Sequence, residues 1–183
     1  MKNRKRTRMK GFDYSSNNIY FVTICVQNRE CCFGYVGTGR DLSVHHPENH
    51  HPENQMVDLF MMQMNLNVIG EIVQAKINWL QEQYKYVIIH NYVVMPNHVH
   101  IVIEIDSIKV KDSSVKIKSL SSLIGAFKTV SSKFIHQQGL ESFAWQRSFH
   151  DHIIKNEKAY DNIMNYIDLN PQKWNQDTFY LVN

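Results

Sequence analysis

An α+β fold built on an antiparallel sheet is what this sequence predicts, and three observations predict it. Segments with the β-branched and aromatic composition of strands alternate with segments whose apolar residues recur at helical spacing. Two of the strand segments abut at Pro96-Asn97, a turn-forming pair that leaves room only for a tight hairpin, so those neighbours run antiparallel. At 183 residues and 43% apolar content the chain can bury one sizeable core and is short for two, so one domain over 1–183 is expected.

The elements follow in order. Ile19 to Val26 is β-branched and aromatic and follows the turn-forming run Ser15-Ser16-Asn17-Asn18, so it reads as a buried strand. The next forty or so residues read as irregular. They hold a tandem duplication, His45-His46-Pro47-Glu48-Asn49 then His50-His51-Pro52-Glu53-Asn54, whose prolines suit neither a helix nor a central strand. Its histidines have metal-ligating chemistry, but a slipped duplication in a surface loop is the simpler account, and 41–56 is taken as a loop insertion outside the site. Ile69, Ile72, Val73, Ile77, Leu80 and Tyr84 then recur as the inner face of an amphipathic helix. Tyr86 to Met95 and His98 to Ile105 are the hairpin strands, and Ile108 to Lys118 is a polar, basic loop.

A second helix starts near Ser119 or Ser121, either of which can cap it, and carries Leu120, Leu123, Ile124, Phe127, Val130 and Phe134 inward until Gly139. Phe143 to Ile154 reads as a last strand, and Glu157 to Leu169 as a last helix stopped by Asn170-Pro171. Strand, helix, strand, strand, helix, strand is the order of a split β-α-β, ferredoxin-like sheet, here with a helix added at the C-terminal end. The central hairpin disfavours a doubly wound parallel sheet.

Composition excludes several classes. Cys25, Cys31 and Cys32 are odd in number and lack CxxC spacing, which argues against a disulfide framework or a four-thiolate zinc site. No apolar run approaches a membrane span and the basic N-terminus leads into the polar stretch from Gly11 to Asn18, so a cytoplasmic protein without membrane contact is expected. The net charge is only +3, yet Lys2, Arg4, Lys5, Arg6, Arg8 and Lys10 crowd the first ten residues. Such an arm, 1–12, can neutralise phosphates without reading sequence, although a solvated tail has the same composition.

Two places can carry chemistry. Side chains alternate along a strand, so His98 and His100 share one face while Val99, Ile101 and Ile103 share the other. Two imidazoles so placed can bind one metal ion, or can simply hydrogen-bond inside the protein. In the last helix Tyr160, Ile163, Met164 and Ile167 make the apolar face, while Tyr166 and Asn170 lie one turn apart, within about 40° of each other at about 100° per residue. They can deliver a nucleophilic hydroxyl and an amide ligand to one place, or be an ordinary aromatic and a helix C-cap.

Together these segments resemble a known family. Met95-Pro96-Asn97-His98-Val99-His100-Ile101 is similar to the histidine-hydrophobic-histidine segment of single-tyrosine transposases of the IS200-like class. Tyr166-Ile167-Asp168-Leu169-Asn170-Pro171 resembles the tyrosine helix of that class, in the branch of REP-associated tyrosine transposases. Asp13-Tyr14-Ser15 with Tyr20-Phe21-Val22-Thr23, then Phe33-Gly34, then Trp145-Gln146-Arg147-Ser148-Phe149 with Asp151-His152-Ile153-Ile154, match in the same order across nearly the whole chain.

The resemblance implies His98 and His100 as metal ligands, Tyr166 as nucleophile, and Asn170 as third ligand where IS200-like enzymes place a glutamine one turn after the tyrosine. It implies Mg²⁺ or Mn²⁺ as cofactor, cleavage of single-stranded DNA through a 5′-phosphotyrosine with a free 3′-hydroxyl, and hairpin-bearing repeats or element ends as substrate. For DNA contact the candidates are Arg4, Lys5, Arg6 and Arg8 of the arm, with Arg147, Lys128 and Lys133, and Trp145 as a base-stacking ring whose alternative is the core. IS200-like enzymes resemble dimers that trade the tyrosine helix, whereas the REP-associated branch can act as a monomer; a homodimer and a monomer both fit. A non-catalytic module would show aromatics on the open sheet face, and a water-using hydrolase would not need Tyr166.

Overall fold

The computed structural model describes residues 11–38, 62–112 and 114–180. The arm residues Arg4, Lys5, Arg6 and Arg8 and the doubled histidine segment within 41–56 lie outside the described residues. Strands β1 (Asn18–Cys25), β2 (Gly34–Thr38), β3 (Met62–Leu66), β4 (Val87–Met95), β5 (His98–Ile105) and β6 (His150–Ile154) combine with helices α1 (Val68–Gln83), α2 (Leu120–Gln137) and α3 (Glu157–Leu169). Each helix begins where a side chain accepts from an orphan amide of its first turn: Asn67 from Gly70, Ser119 from Ser122 and Asn156 from Ala159.

Four strands form one sheet in the order β4-β5-β1-β6, every neighbouring pair antiparallel. This is the ferredoxin-like arrangement that the element order predicts. The strand period then sorts the side chains. Tyr20, Val22 and Ile24 of β1 and Val99, Ile101, Ile103 and Ile105 of β5 are buried with Val73, Ile77 and Leu80 of α1 and Leu120, Leu123, Ile124 and Phe127 of α2. The opposite face carries α3, whose Ile167, with Tyr160, Ile163 and Met164, packs on Val102 and Ile154 beside Ile19, Phe21 and Val93. Truncating a fully buried residue of the first layer, Ile101→Ala for instance, would cost about 2–5 kcal/mol in lost transfer energy and cavity.

Helix α3 is also pinned by polar contacts to the edge strand. A register shift between Ile89 and Asn91 takes His90 out of the β4 ladder. His90 Nδ1 then lies 2.9 Å from the Tyr160 hydroxyl and its Nε2 2.7 Å from Glu104 Oε2, while Asn91 Nδ2 donates to Asp168 Oδ1 at 2.8 Å.

The structure departs from expectation in three places. The irregular region contains a second, two-stranded sheet, β2 with β3, in register from Gly34↔Leu66 to Thr38↔Met62. Gly34 adopts φ 129° and lies so close to the Asn65 carbonyl that a Cβ would collide with it, so only glycine suits this crossing. The last strand is limited to His150–Ile154, because Phe143, Trp145 and Phe149 turn their rings into the core from a loop that bridges Val26. On α2 the inner stripe continues through Ser131 and Ile135, leaving Phe134 exposed with Lys76 Nζ 3.8 Å over its ring. No helix among the described residues is long and apolar enough to cross a membrane.

Candidate metal and tyrosine site

The face of the sheet under α3 is where strand alternation directs His98 and His100. Their Nε2 atoms are 3.1 Å apart, and the residues are 0% and 2% exposed. Burial keeps both neutral. It holds His98 well below the ordinary histidine range, with His100 and Arg29 adding to the effect, and it takes His100 down to about 3. Neutral imidazoles are what a metal ion needs from histidine.

The other nitrogen of each ring is held by a neighbour. Asn97 Nδ2 donates to the carbonyls of Arg29 at 3.0 Å and Phe179 at 2.9 Å. Those bonds orient the amide so that its oxygen faces His98 Nδ1 at 2.9 Å. An amide oxygen only accepts, so His98 carries its proton on Nδ1 and presents a bare Nε2 to the site. His100 Nδ1 is 2.9 Å from Thr23 Oγ1, across the β1–β5 pair. A hydroxyl both donates and accepts, so His100 can point a proton at His98 Nε2 when the site holds no cation, and can turn it to Thr23 to free its own Nε2.

Helix α3 brings the tyrosine over this pair. Tyr166 Oη lies 3.3 Å from His100 Nε2, and its ring is edge-on to Phe21, which stacks on His100. At 42% exposure Tyr166 has a ring open to solvent and a hydroxyl at the buried imidazole. Burial first, and the Asp177 carboxylate second, push its phenol above the usual tyrosine range, while a hydrogen bond from Asn170 pulls the other way. Asn170, one turn on, is 2% exposed, and its Nδ2 donates to Asp177 Oδ2 at 3.4 Å. Its Oδ1 is buried without a hydrogen-bond partner among the described residues. An orphaned buried acceptor costs about 1–3 kcal/mol, which a cation would offset. His98 Nε2, the Nε2 that His100 can free, and this oxygen are donors suited to a divalent ion.

Sequence reasoning missed the rest of the enclosure. After α3 the chain makes a 3-10 turn, Pro171–Gln176, and passes back over the histidines. Phe179 lies 4.5 Å from the His98 ring and Trp174 6.0 Å from it, and Arg29 Nη1 donates to the Thr178 carbonyl. Asp177 Oδ2 comes within 4.0 Å of His98 Nε2. Asn97 was read as a turn residue and as part of the matching histidine segment, without a role of its own, although its place beside His98 in the hairpin was a usable signal. Thr23 appeared only inside the matching segment Tyr20-Phe21-Val22-Thr23, its role depending on cross-strand register, and Asp177, on a turn without period, was not singled out.

The DNA-contact candidates divide. Trp145 is not a surface platform: it is 8% exposed, donates through Nε1 to Ser131 Oγ at 3.0 Å, and packs among Phe33, Phe127 and Phe143. An indole that has found both apolar neighbours and a hydrogen-bond acceptor is a core residue, which corrects the expectation of base stacking. Arg147 and Lys133 are exposed, while Lys128 Nζ is occupied by the carbonyls of Gln146 and Ser148.

The chain is also similar to known proteins. An "uncharacterized protein" of Haemophilus influenzae is 30% identical over 97% of this chain and 93% of its own length. The structure of a REP-associated tyrosine transposase bound to a REP hairpin shares the fold, with a TM-score of 0.51 at 20% identity over 95% of this chain and 74% of that one. The family model of IS200-like transposases matches residues 63–170, a span that holds the histidine strand, the tyrosine helix and Asn170. The chain belongs to the IS200-like transposase family.

Proposed function

We propose that this transposase cuts and rejoins single-stranded DNA through a covalent bond to Tyr166, with His98, His100 and Asn170 holding a Mg²⁺ or Mn²⁺ ion. The observation that carries the reading is the Tyr166 hydroxyl at 3.3 Å from His100 Nε2, on a face where the other half of the pair is bare and neutral. When bound, such an ion neutralises the non-bridging oxygens of a phosphodiester and favours attack at phosphorus. The chain's own groups do the remainder. Tyr166 Oη forms a bond to phosphorus as the bond to the 3′ oxygen breaks. The phenol proton leaves, the 3′ oxygen gains one, and the 5′ phosphate stays esterified to the tyrosine. Attack by a 3′-hydroxyl on that ester reverses the exchange and joins strands without an external energy source.

Burial raises the phenol's pKa, so a positive charge beside it would favour the phenolate. Family membership and the fold shared with a relative solved on a REP hairpin support a hairpin-bearing single strand as substrate. The contacts of α3 with β4 and β5 of the same chain, through Tyr160, Asp168 and Tyr166, suit a tyrosine that acts in cis. In the basic arm Arg4, Lys5, Arg6 and Arg8, with Arg147, would supply phosphate contacts.

The test is a denaturing gel for a protein–DNA adduct, using hairpin-bearing single strands with Mg²⁺ or Mn²⁺. The reading expects an adduct that requires metal and is absent in Tyr166→Phe. Equal cleavage by wild type and Tyr166→Phe without adduct would replace it with a water nucleophile; tight binding without cleavage would replace it with a binding module.

A further inference from the structure

We propose that Asp177, from the segment that follows the tyrosine helix, is a further ligand of the same divalent ion; this rests on the metal-dependent reading above. His98, His100 and Asp177, two buried histidines and a partly buried aspartate, each offer a ligand atom within 4.8 Å of the others. The Asp177 side chain is 5% exposed. Among the described residues its only ion-pair neighbour within 4.0 Å is His98, so no lysine or arginine matches the carboxylate at that distance. Buried charges persist where they are paired or bind a metal.

Several bonds hold the carboxylate in place. Its Oδ1 accepts from the Phe179 amide at 2.8 Å and its Oδ2 from Asn170 Nδ2 at 3.4 Å. The flanking main chain is tied down by Arg29 at Thr178 and by Asn97 at Phe179. Asn97 therefore orients one ligand, His98, and anchors the segment that brings another. Asn170 would play two parts, aiming Asp177 through its nitrogen and offering its unpartnered oxygen.

The chemistry assigns a consequence. Two histidines and an asparagine are a neutral set, and a carboxylate makes the site anionic. Ligand charge raises affinity for a hard divalent ion, and mixed nitrogen and carboxylate donors suit Mn²⁺ better than Mg²⁺, which prefers oxygen.

Full-length protein without DNA is titrated with Mn²⁺, free ion being read by electron paramagnetic resonance, and the d–d absorption of bound Co²⁺ reports the ligand set. Asp177→Asn should weaken Mn²⁺ binding by about tenfold or more and alter the Co²⁺ bands. The asparagine keeps an oxygen for the Phe179 amide, and melting in EDTA checks that the fold survives. Asp177→Glu, which keeps the charge but moves the oxygens, should recover part of the affinity with a changed spectrum. Mn²⁺ affinity within twofold of wild type and an unchanged Co²⁺ spectrum in Asp177→Asn would overturn the assignment. The two readings fail separately: adduct formation with Asp177→Asn binding Mn²⁺ normally defeats only this one, and Asp177-dependent Mn²⁺ binding without a Tyr166 adduct defeats only the strand-transfer reading.

Discussion

Asn97 gives both of its amide hydrogens to main-chain carbonyls, Arg29 and Phe179, and so has only its oxygen to offer His98 Nδ1, 2.9 Å away. The tautomer of a proposed metal ligand is thus set by the turn of the hairpin that carries it. Removing the partner that orients a ligating histidine commonly costs about 10–100-fold in metal affinity. Asn97→Ala should weaken Mn²⁺ binding, measured by calorimetry, by that factor. Unchanged affinity would mean that the ring is oriented by its packing against Phe179 instead.

Acid should destabilise the metal-free protein. The folded values of His98 and His100 lie below the unfolded histidine value of about 6.5, so the unfolded chain binds more protons as pH falls. The stability they contribute is therefore complete above about pH 6.5 and is lost as pH falls toward about 3. His100 contributes a slope of about 1.4 kcal/mol per pH unit inside that window, or roughly 3–6 °C in Tm for a chain of this size, and His98 acts in the same direction. Melting in EDTA between pH 7 and 5 should show that decline, and His100→Gln should flatten it by one histidine's share. A Tm independent of pH across the window would contradict the buried neutral pair.

The anchoring of α3 makes a stability prediction that spares the chemistry. Tyr160→Phe removes the hydroxyl that meets His90 Nδ1 while keeping the ring on Ile154 and its neighbours. A hydrogen bond of this kind is worth about 1 kcal/mol, so Tm should fall by roughly 2–4 °C in a thermal melt. Adduct yield at saturating metal should be retained. Loss of adduct with a normal melt would show that Tyr160 takes part in the reaction.

How much of this was legible depended on whether a residue's role is local. The alternation in His98-Val99-His100-Ile101 sorted the two faces of β5 correctly, because a strand's period needs no partner to be read. Ser119 was readable as a cap and Pro96-Asn97 as a hairpin turn for the same reason. The β2–β3 pair was not, since its strands are separated in sequence and β2 is interrupted by Gly37. Phe143, Trp145 and Phe149 show strand-like alternation, yet their rings serve the core from a loop, and only the positions of Phe33 and Phe127 reveal it. Of the proposed site, Tyr166 and Asn170 lay one turn apart on a helix and could be paired from the sequence. Thr23 and Asp177 join them through tertiary contacts, which periodicity does not encode.

The most direct measurement is mass spectrometry of the covalent adduct after nuclease and trypsin digestion. The peptide 159–173 holds both tyrosines of α3, and fragmentation separates Tyr160 from Tyr166. The account predicts a nucleotide-phosphate on Tyr166, formed only with Mg²⁺ or Mn²⁺ and lost when His98 or His100 is replaced. Modification at Tyr160 or at another residue, or cleaved DNA with no modified peptide, would contradict it.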